Sequence, residues 1–182
     1  MRTVALCLLS AAIAFSAAVP DTVRQSPAFS IQRIGNAPID VNHYHGKIVA
    51  LAFISTTCPH CQHLTEVLNT IEKEYTPRGV QFLECAFNPD AQSSLPQFIQ
   101  QFHPAFPVGY ADRGSVLAYL QYSILDTKPV YVPHMVFLDR RGMIRGDYPG
   151  ESDFFQNPDA SIRNELNQLL KPAAAATHRK KR

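Results

Sequence analysis

Cys58-Pro59-His60-Cys61 stands where one kind of hydrophobic pattern gives way to another. Before it, Lys47 to Ile54 (KIVALAFI) is a continuous apolar run with β-branched residues, as expected of a strand covered on both faces. After it, Leu64, Val67, Leu68, Ile71 and Tyr75 recur at steps of three and four. They form the stripe of an amphipathic helix ending near Pro77-Arg78-Gly79. Two cysteines separated by two residues thus fall at a strand–helix junction. Few chains satisfy that arrangement outside an α/β fold.

The rest of the chain repeats the alternation. Phe29 to Gln32 reads as a short edge strand after a polar lead-in, and Val80 to Phe87 as a second buried strand. Ser94-Leu95-Pro96-Gln97 has the pattern of a capping box, which predicts a helix with Phe98, Ile99 and Phe102 inward. Phe106 to Tyr110 predicts a short strand, and Val116, Leu117 and Leu120 a further helix. Tyr131 to Leu138 predicts a strand that turns at Asp139-Arg140-Arg141-Gly142 into a partner over Met143 to Tyr148. Asp159 is the expected cap of a last helix with Ile162, Leu166, Leu169 and Leu170 inward. The order β-β-α-β-α-β-α-β-β-α requires crossover connections and a sheet with helices on its faces, in one domain over residues 24–171.

Composition narrows the function. Of 182 residues, 17 are Lys or Arg and 15 Asp or Glu, a net charge of +2, which argues against a nucleic-acid binder. Neither common glycine-rich phosphate loop is present. At the start, Arg2 precedes an apolar run from Val4 to Phe15, and Ser16-Ala17-Ala18 supplies small residues. That pattern predicts a secretory signal peptide over residues 1–18 rather than an uncleaved anchor helix. Cys7 would leave with it. Residues 172–182 are expected to form a solvated, disordered basic tail.

Export leaves Cys58, Cys61 and Cys85 in a compartment where disulfides persist. Cys85, within a buried strand, reads as a small core residue. For the close pair, a helix N-terminus offers unpaired N–H groups and partial positive charge, which favour a thiolate. Cys58 is then the nucleophile and Cys61 the resolving thiol. Pro59 fits a first helical turn, where its missing N–H costs nothing. His60 can add a donor or positive charge beside Cys58, and stabilising the thiolate makes the disulfide more oxidising. Half a zinc site is the competing reading. It requires a second ligand pair, and His43, His45, His63, His103 and His134 are scattered, so no metal is expected.

On these residues the chain resembles the thioredoxin fold, and within it the exported TlpA/ResA-type thiol–disulfide oxidoreductases. The likeness runs from about Ser26 to Gly150. It includes Gly46-Lys47 before the strand, the cysteine junction, Phe106-Pro107-Val108, Val132-Pro133 and the Asp139–Gly142 turn. The resemblance implies a thioredoxin-like α/β fold: a central mixed sheet flanked by helices, with an N-terminal β extension and a short α/β insertion. It implies a cis-proline at Pro133 facing the dithiol, and backbone groups of Val132 that pair with an extended substrate. It implies exchange with protein substrates in the periplasm or another extracytoplasmic space, an electron partner in the membrane, and a monomer without cofactor.

This sequence departs from the family at several positions. Thr57 stands where an aromatic residue is common, Ala52 where thioredoxin carries a buried carboxylate, and Leu64 where some members carry a glutamate. Glu84 could serve Cys61, but a mid-strand glutamate is read here as reaching solvent at an edge. TlpA/ResA-like members usually reduce, whereas Pro-His resembles the oxidising DsbA type. Two alternatives share the fold. A thiol peroxidase has a Thr or Ser three residues before its cysteine, as Ser55 is here, but Leu51 replaces the proline that shapes its pocket. A Sco-type copper protein would call on His134, although its cysteines are three residues apart.

Overall fold

A computed structural model describes residues 23–123 and 129–172. The expected signal peptide and the basic tail beyond Pro172 lie outside the described residues. Eight strands form one mixed sheet in the order β1-β8-β7-β4-β5-β6-β2-β3. They are β1 (Arg24–Gln25), β2 (Ser30–Arg33), β3 (Asn36–Asp40), β4 (Ile48–Ile54), β5 (Val80–Ala86), β6 (Val108–Tyr110), β7 (His134–Leu138) and β8 (Met143–Tyr148). Among the described residues four α-helices accompany them: α1 (Pro59–Tyr75), α2 (Ala91–Phe102), α3 (Arg113–Tyr119) and α4 (Pro158–Leu170). β4 runs parallel to β5, and β5 to β6, while β7 is antiparallel to β4 and β8. This is the mixed, helix-flanked sheet that the resemblance implies, with β1 to β3 as the N-terminal extension.

All seven residues of β4 are buried, as a run without polar alternation requires. Its even-numbered side chains pack beneath α1, α2 and α4 with Leu64, Leu68, Phe98 and Ile162. Its odd-numbered ones join Phe29, Val116 and Tyr119 on the other face. The strand therefore ends between two closed cores, and the loop after it is the first place where a side chain can meet solvent.

Several local expectations are corrected. α2 begins at Ala91, not at the Ser94 box, because Asn88 and Asp90 already turn the chain: Ala91 N–H donates to the Asn88 carbonyl. Ser94 lies inside the helix with its hydroxyl on the Asp90 carbonyl, Pro96 is helical, and Ile99 faces solvent. α4 is capped by Asn157, whose side chain accepts from Ala160 N–H; Asp159 instead binds Arg163 one turn on. Leu117, expected inward, is only half-buried, and Tyr119 takes the core position. Tyr131 to Pro133 precede β7, and Tyr131 is exposed, because the strand begins only after a cis Val132–Pro133 bond.

Candidate active site

Cys58 is the N-cap of α1, with extended backbone (φ −83°, ψ 120°) and Pro59 in the first turn. Its side chain makes no capping bond, so the sulfur remains available. Cys58 is half-buried and Cys61, one turn further in, is fully buried. The two thiols are free and close enough to influence one another. Across the site the Cys58 thiol lies 3.9 Å from the Val132 carbonyl, which places the cis Val132–Pro133 bond opposite the dithiol. The Ser55 N–H donates to Cys61 Sγ at 3.4 Å. Burial pushes the Cys61 thiol up, far more than the Ser55 N–H lowers it, and nearby Cys58 and Glu84 add to the rise.

The turn that carries Cys58 is fastened from α2. Thr56 N–H donates to Asn88 Oδ1 (3.1 Å), Asn88 Nδ2 to Thr56 Oγ1 (2.9 Å), and Thr56 Oγ1 meets Ser94 Oγ (2.8 Å). Gln62 Nε2 closes the set by donating to the Thr56 carbonyl (2.9 Å). Opposite, Gly150 allows the chain after β8 to lie against the cis-proline segment. A Cβ there would stand 3.0 Å from the Tyr131 carbonyl carbon and 3.1 Å from Pro133 O. Both contacts are with backbone, so neither can yield by changing a rotamer.

His60 is exposed, on the wall of a groove of about 270 Å³ that runs beside Val132 and Pro133. Leu64, Phe155 and Pro158 contribute its apolar part; Glu151 and Asp153 contribute acid. Ser55, the residue of the peroxidase comparison, turns its hydroxyl to Thr57 rather than to Cys58. His134, the residue of the copper comparison, is held by Asp147 at 2.6 Å. Among the described residues no three His, Cys, Asp or Glu side chains gather as a metal site would need. Cys85 is buried in the opposite core, where burial pushes its thiol up.

Glu84 overturns the reading of a solvent-facing strand residue. It is fully buried, beside Ala52 in the parallel register, and it accepts from Thr65 Oγ1 at 2.9 Å. Burial raises its carboxyl to about 8, against the lowering effect of the Thr65 bond. The carboxyl sits one strand over from position 52, next to that alanine. Asn88, Thr56 and Thr65, unlike Glu84, were not singled out by the sequence. Only Asn88-Pro89-Asp90, a run of turn formers behind a strand, carried a visible signal.

A family model described as the AhpC/TSA family matches residues 23–146. No curated protein matches the chain. Among solved structures, a thiol:disulfide interchange protein of the thioredoxin family from Chlorobium tepidum has a TM-score of 0.63 at 21% identity. The match covers 79% of this chain and 97% of that one. The thioredoxin domain of a thiol-disulfide oxidoreductase from Bacteroides vulgatus gives 0.65 at 15% identity, covering 82% and 98%. A secreted Mycobacterium tuberculosis disulfide oxidoreductase homologous to E. coli DsbE gives 0.55 at 18%, covering 75% and 96%. At such identities the likeness establishes the thioredoxin-like fold.

Proposed function

We propose, for a chain that belongs to the AhpC/TSA family, that it is an oxidoreductase exchanging its Cys58–Cys61 dithiol or disulfide with protein substrates. The observation that carries this reading is the pair itself: one accessible sulfur at a helix N-terminus and one buried sulfur close to it, one turn further in. Cys58 as thiolate attacks a substrate disulfide, and a Cys58–substrate bond forms while the other substrate sulfur leaves as thiolate. Cys61 then attacks Cys58 Sγ, forming the internal disulfide and releasing the second substrate sulfur. Oxidation of a substrate dithiol follows the same path in reverse.

Val132 is the proposed docking residue. An extended segment pairing with its backbone would bring a substrate sulfur to Cys58, a mode that demands little of the substrate sequence. Pro133 sets the shape of that edge, and Pro59 and His60 set the reduction potential of the pair. The neighbouring groove would receive a side chain close to the substrate cysteine. Location outside the cytoplasm belongs to the same proposal. Support comes from the pattern of residues 1–18 and from the secreted mycobacterial neighbour. Among the described residues, no helix is long and apolar enough to cross a membrane. A membrane-borne electron partner and a monomeric state complete the proposal.

Trapping tests it. In a Cys61→Ser protein, Cys58 is expected to hold a stable mixed disulfide with a disulfide-bonded peptide; in a Cys58→Ser protein none should form. Failure to trap, together with rapid sulfenic acid formation at Cys58 by hydrogen peroxide, would replace exchange with peroxidase chemistry.

A further inference from the structure

The groove beside the cis-proline is built with an excess of acid. Glu151 and Asp153 line it, both exposed, and no Lys or Arg of the described residues stands among its lining. Neither carboxylate enters an ion pair among the described residues; Asp153 accepts from Gln156 Nε2 at 2.6 Å. α1 supplies His60 and His63, imidazoles that bear charge only when protonated, and His63 already faces Glu66 at 3.8 Å. Ser152, between the two acids in sequence, makes no capping bond to the turn it begins. Its Oγ is buried without a hydrogen-bond partner. The rest of the lining is largely apolar, from Leu64, Phe155 and Pro158 to Val132, whose carbonyl is 3.9 Å from the Cys58 sulfur.

At about 270 Å³ the groove falls short of the ~300 Å³ at which pockets for drug-sized ligands begin, so its size suits one long side chain. A second groove next to the cysteine loop, of about 250 Å³ between α1 and α2, is lined by Thr57, Gln62, Gln97 and Gln101 and holds no charged residue. The acid thus belongs to the cis-proline side of the dithiol alone. A substrate strand paired with Val132 sets its cysteine at Cys58 and a residue one or two places along at this groove, since two residues of a strand span roughly 7 Å. Apolar surface with acid at its rim asks for an aliphatic stem and a cationic head, which arginine and lysine both provide. Arginine meets it better. Its five N–H donors lie in a planar fork that can serve two carboxylates and a hydroxyl oxygen, whereas lysine's three radiate from one point.

Resting on the dithiol reading above, we infer that this groove selects protein substrates that carry an arginine one or two residues from the reacting cysteine. The arginine stem lies along Leu64, Phe155 and Pro158, and its guanidinium donates to Glu151, Asp153 and Ser152 Oγ. A glutamate or aspartate in the same place is repelled by both carboxylates. Selection acts when Cys58 captures the substrate and leaves the bonds made and broken in exchange as described above. Both acids are exposed, so salt screens the attraction and the discrimination is about tenfold, in keeping with two solvent-facing pairs.

The test is the rate at which the reduced protein opens symmetric disulfides of a short cysteine peptide, at low salt and about pH 8, where an ordinary imidazole is neutral. Arginine, citrulline or glutamate is placed one or two residues from the cysteine, on either side. At one of these places arginine is expected to react about tenfold faster than citrulline, which has its shape without its charge, and glutamate more slowly than both. High salt should close most of that gap. In a Glu151→Gln, Asp153→Asn protein the arginine-to-citrulline ratio should fall to about one, and Glu151→Lys should shift the preference toward glutamate. Equal rates for arginine and citrulline at every place overturn the inference, as does a preference that survives the double substitution. If no peptide reacts with the reduced protein, the proposed function fails instead. The groove is then read by the amide NMR shifts of Glu151, Ser152 and Asp153 as the reduced peptides are added, where identical responses to arginine and citrulline overturn the selection.

Discussion

Two ionisable clusters lie on opposite faces of the same sheet, one sealed from water and the other half-buried. On the α1 face, Glu84 has one hydroxyl donor and, among the described residues, no cation. On the α3 face, Asp147 lies 2.6 Å from His134 Nε2 and 3.2 Å from Arg24 Nη2, and Arg24 also reaches the Tyr119 carbonyl. Burial pushes both carboxyls up. For Asp147 the bonds to His134 and Arg24 outweigh it and hold the group below its usual range; for Glu84 nothing does. Burial and partners together therefore produce a fixed charge on one side and a group that titrates near neutrality on the other. The first arrangement braces the strand that follows the cis-proline. The second stands beside the reacting sulfur.

The sharpest way to break this contrast is through the pH dependence of stability. A carboxyl that ionises near 4.3 when unfolded and near 8 when folded keeps its proton in the native state across that interval. Its stabilising contribution is complete below the unfolded value and declines as pH rises, by about 1.4 kcal/mol per pH unit, until the folded value is passed. Glu165, also raised, contributes in the same direction. Wild type minus Glu84→Gln isolates the first effect: the variant should gain several kcal/mol relative to wild type between pH 5 and 8 in denaturant titrations. A constant difference would mean that Glu84 is ionised in the folded protein. Next in size, Asp147→Asn removes the charge that faces buried His134 and half-buried Arg24, and should cost about 3 kcal/mol at pH 7 by chemical denaturation. A loss below about 1 kcal/mol would make the two faces alike. Smallest, Gly150→Ala should cost roughly 1–2 kcal/mol, because its Cβ presses on backbone at Tyr131 and Pro133. The same variant should slow exchange with a disulfide peptide; unchanged stability and rate would show that the segment moves aside freely.

What could be read from the residues alone follows the same division. β4, α1 and the cysteines between them were legible because apolar period and turn chemistry agree over residues 47–75. The cis-proline came from resemblance, since Val132-Pro133 has no local signature of its isomer. Glu84 stood out as a candidate, but its direction was illegible because VQFLECAF is apolar on both faces: a strand so placed gives its one charged residue no polar side to choose. Only the neighbours Ala52 and Thr65, brought in by register and helix packing, decide where the carboxyl points. Helix starts failed for a related reason. Ser94 and Asp159 are good capping residues, but Asp90 and Asn157 stand earlier and end the preceding turns first.

Equilibration of the reduced and oxidised protein in glutathione buffers bears on all of this most directly. A single two-electron transition is expected, abolished by Cys58→Ser and centred well above the roughly −270 mV of thioredoxin, as the Pro59-His60 pair implies. A midpoint near thioredoxin's would contradict the oxidising assignment. Two thiols that never join at any glutathione ratio would contradict the exchange reaction itself.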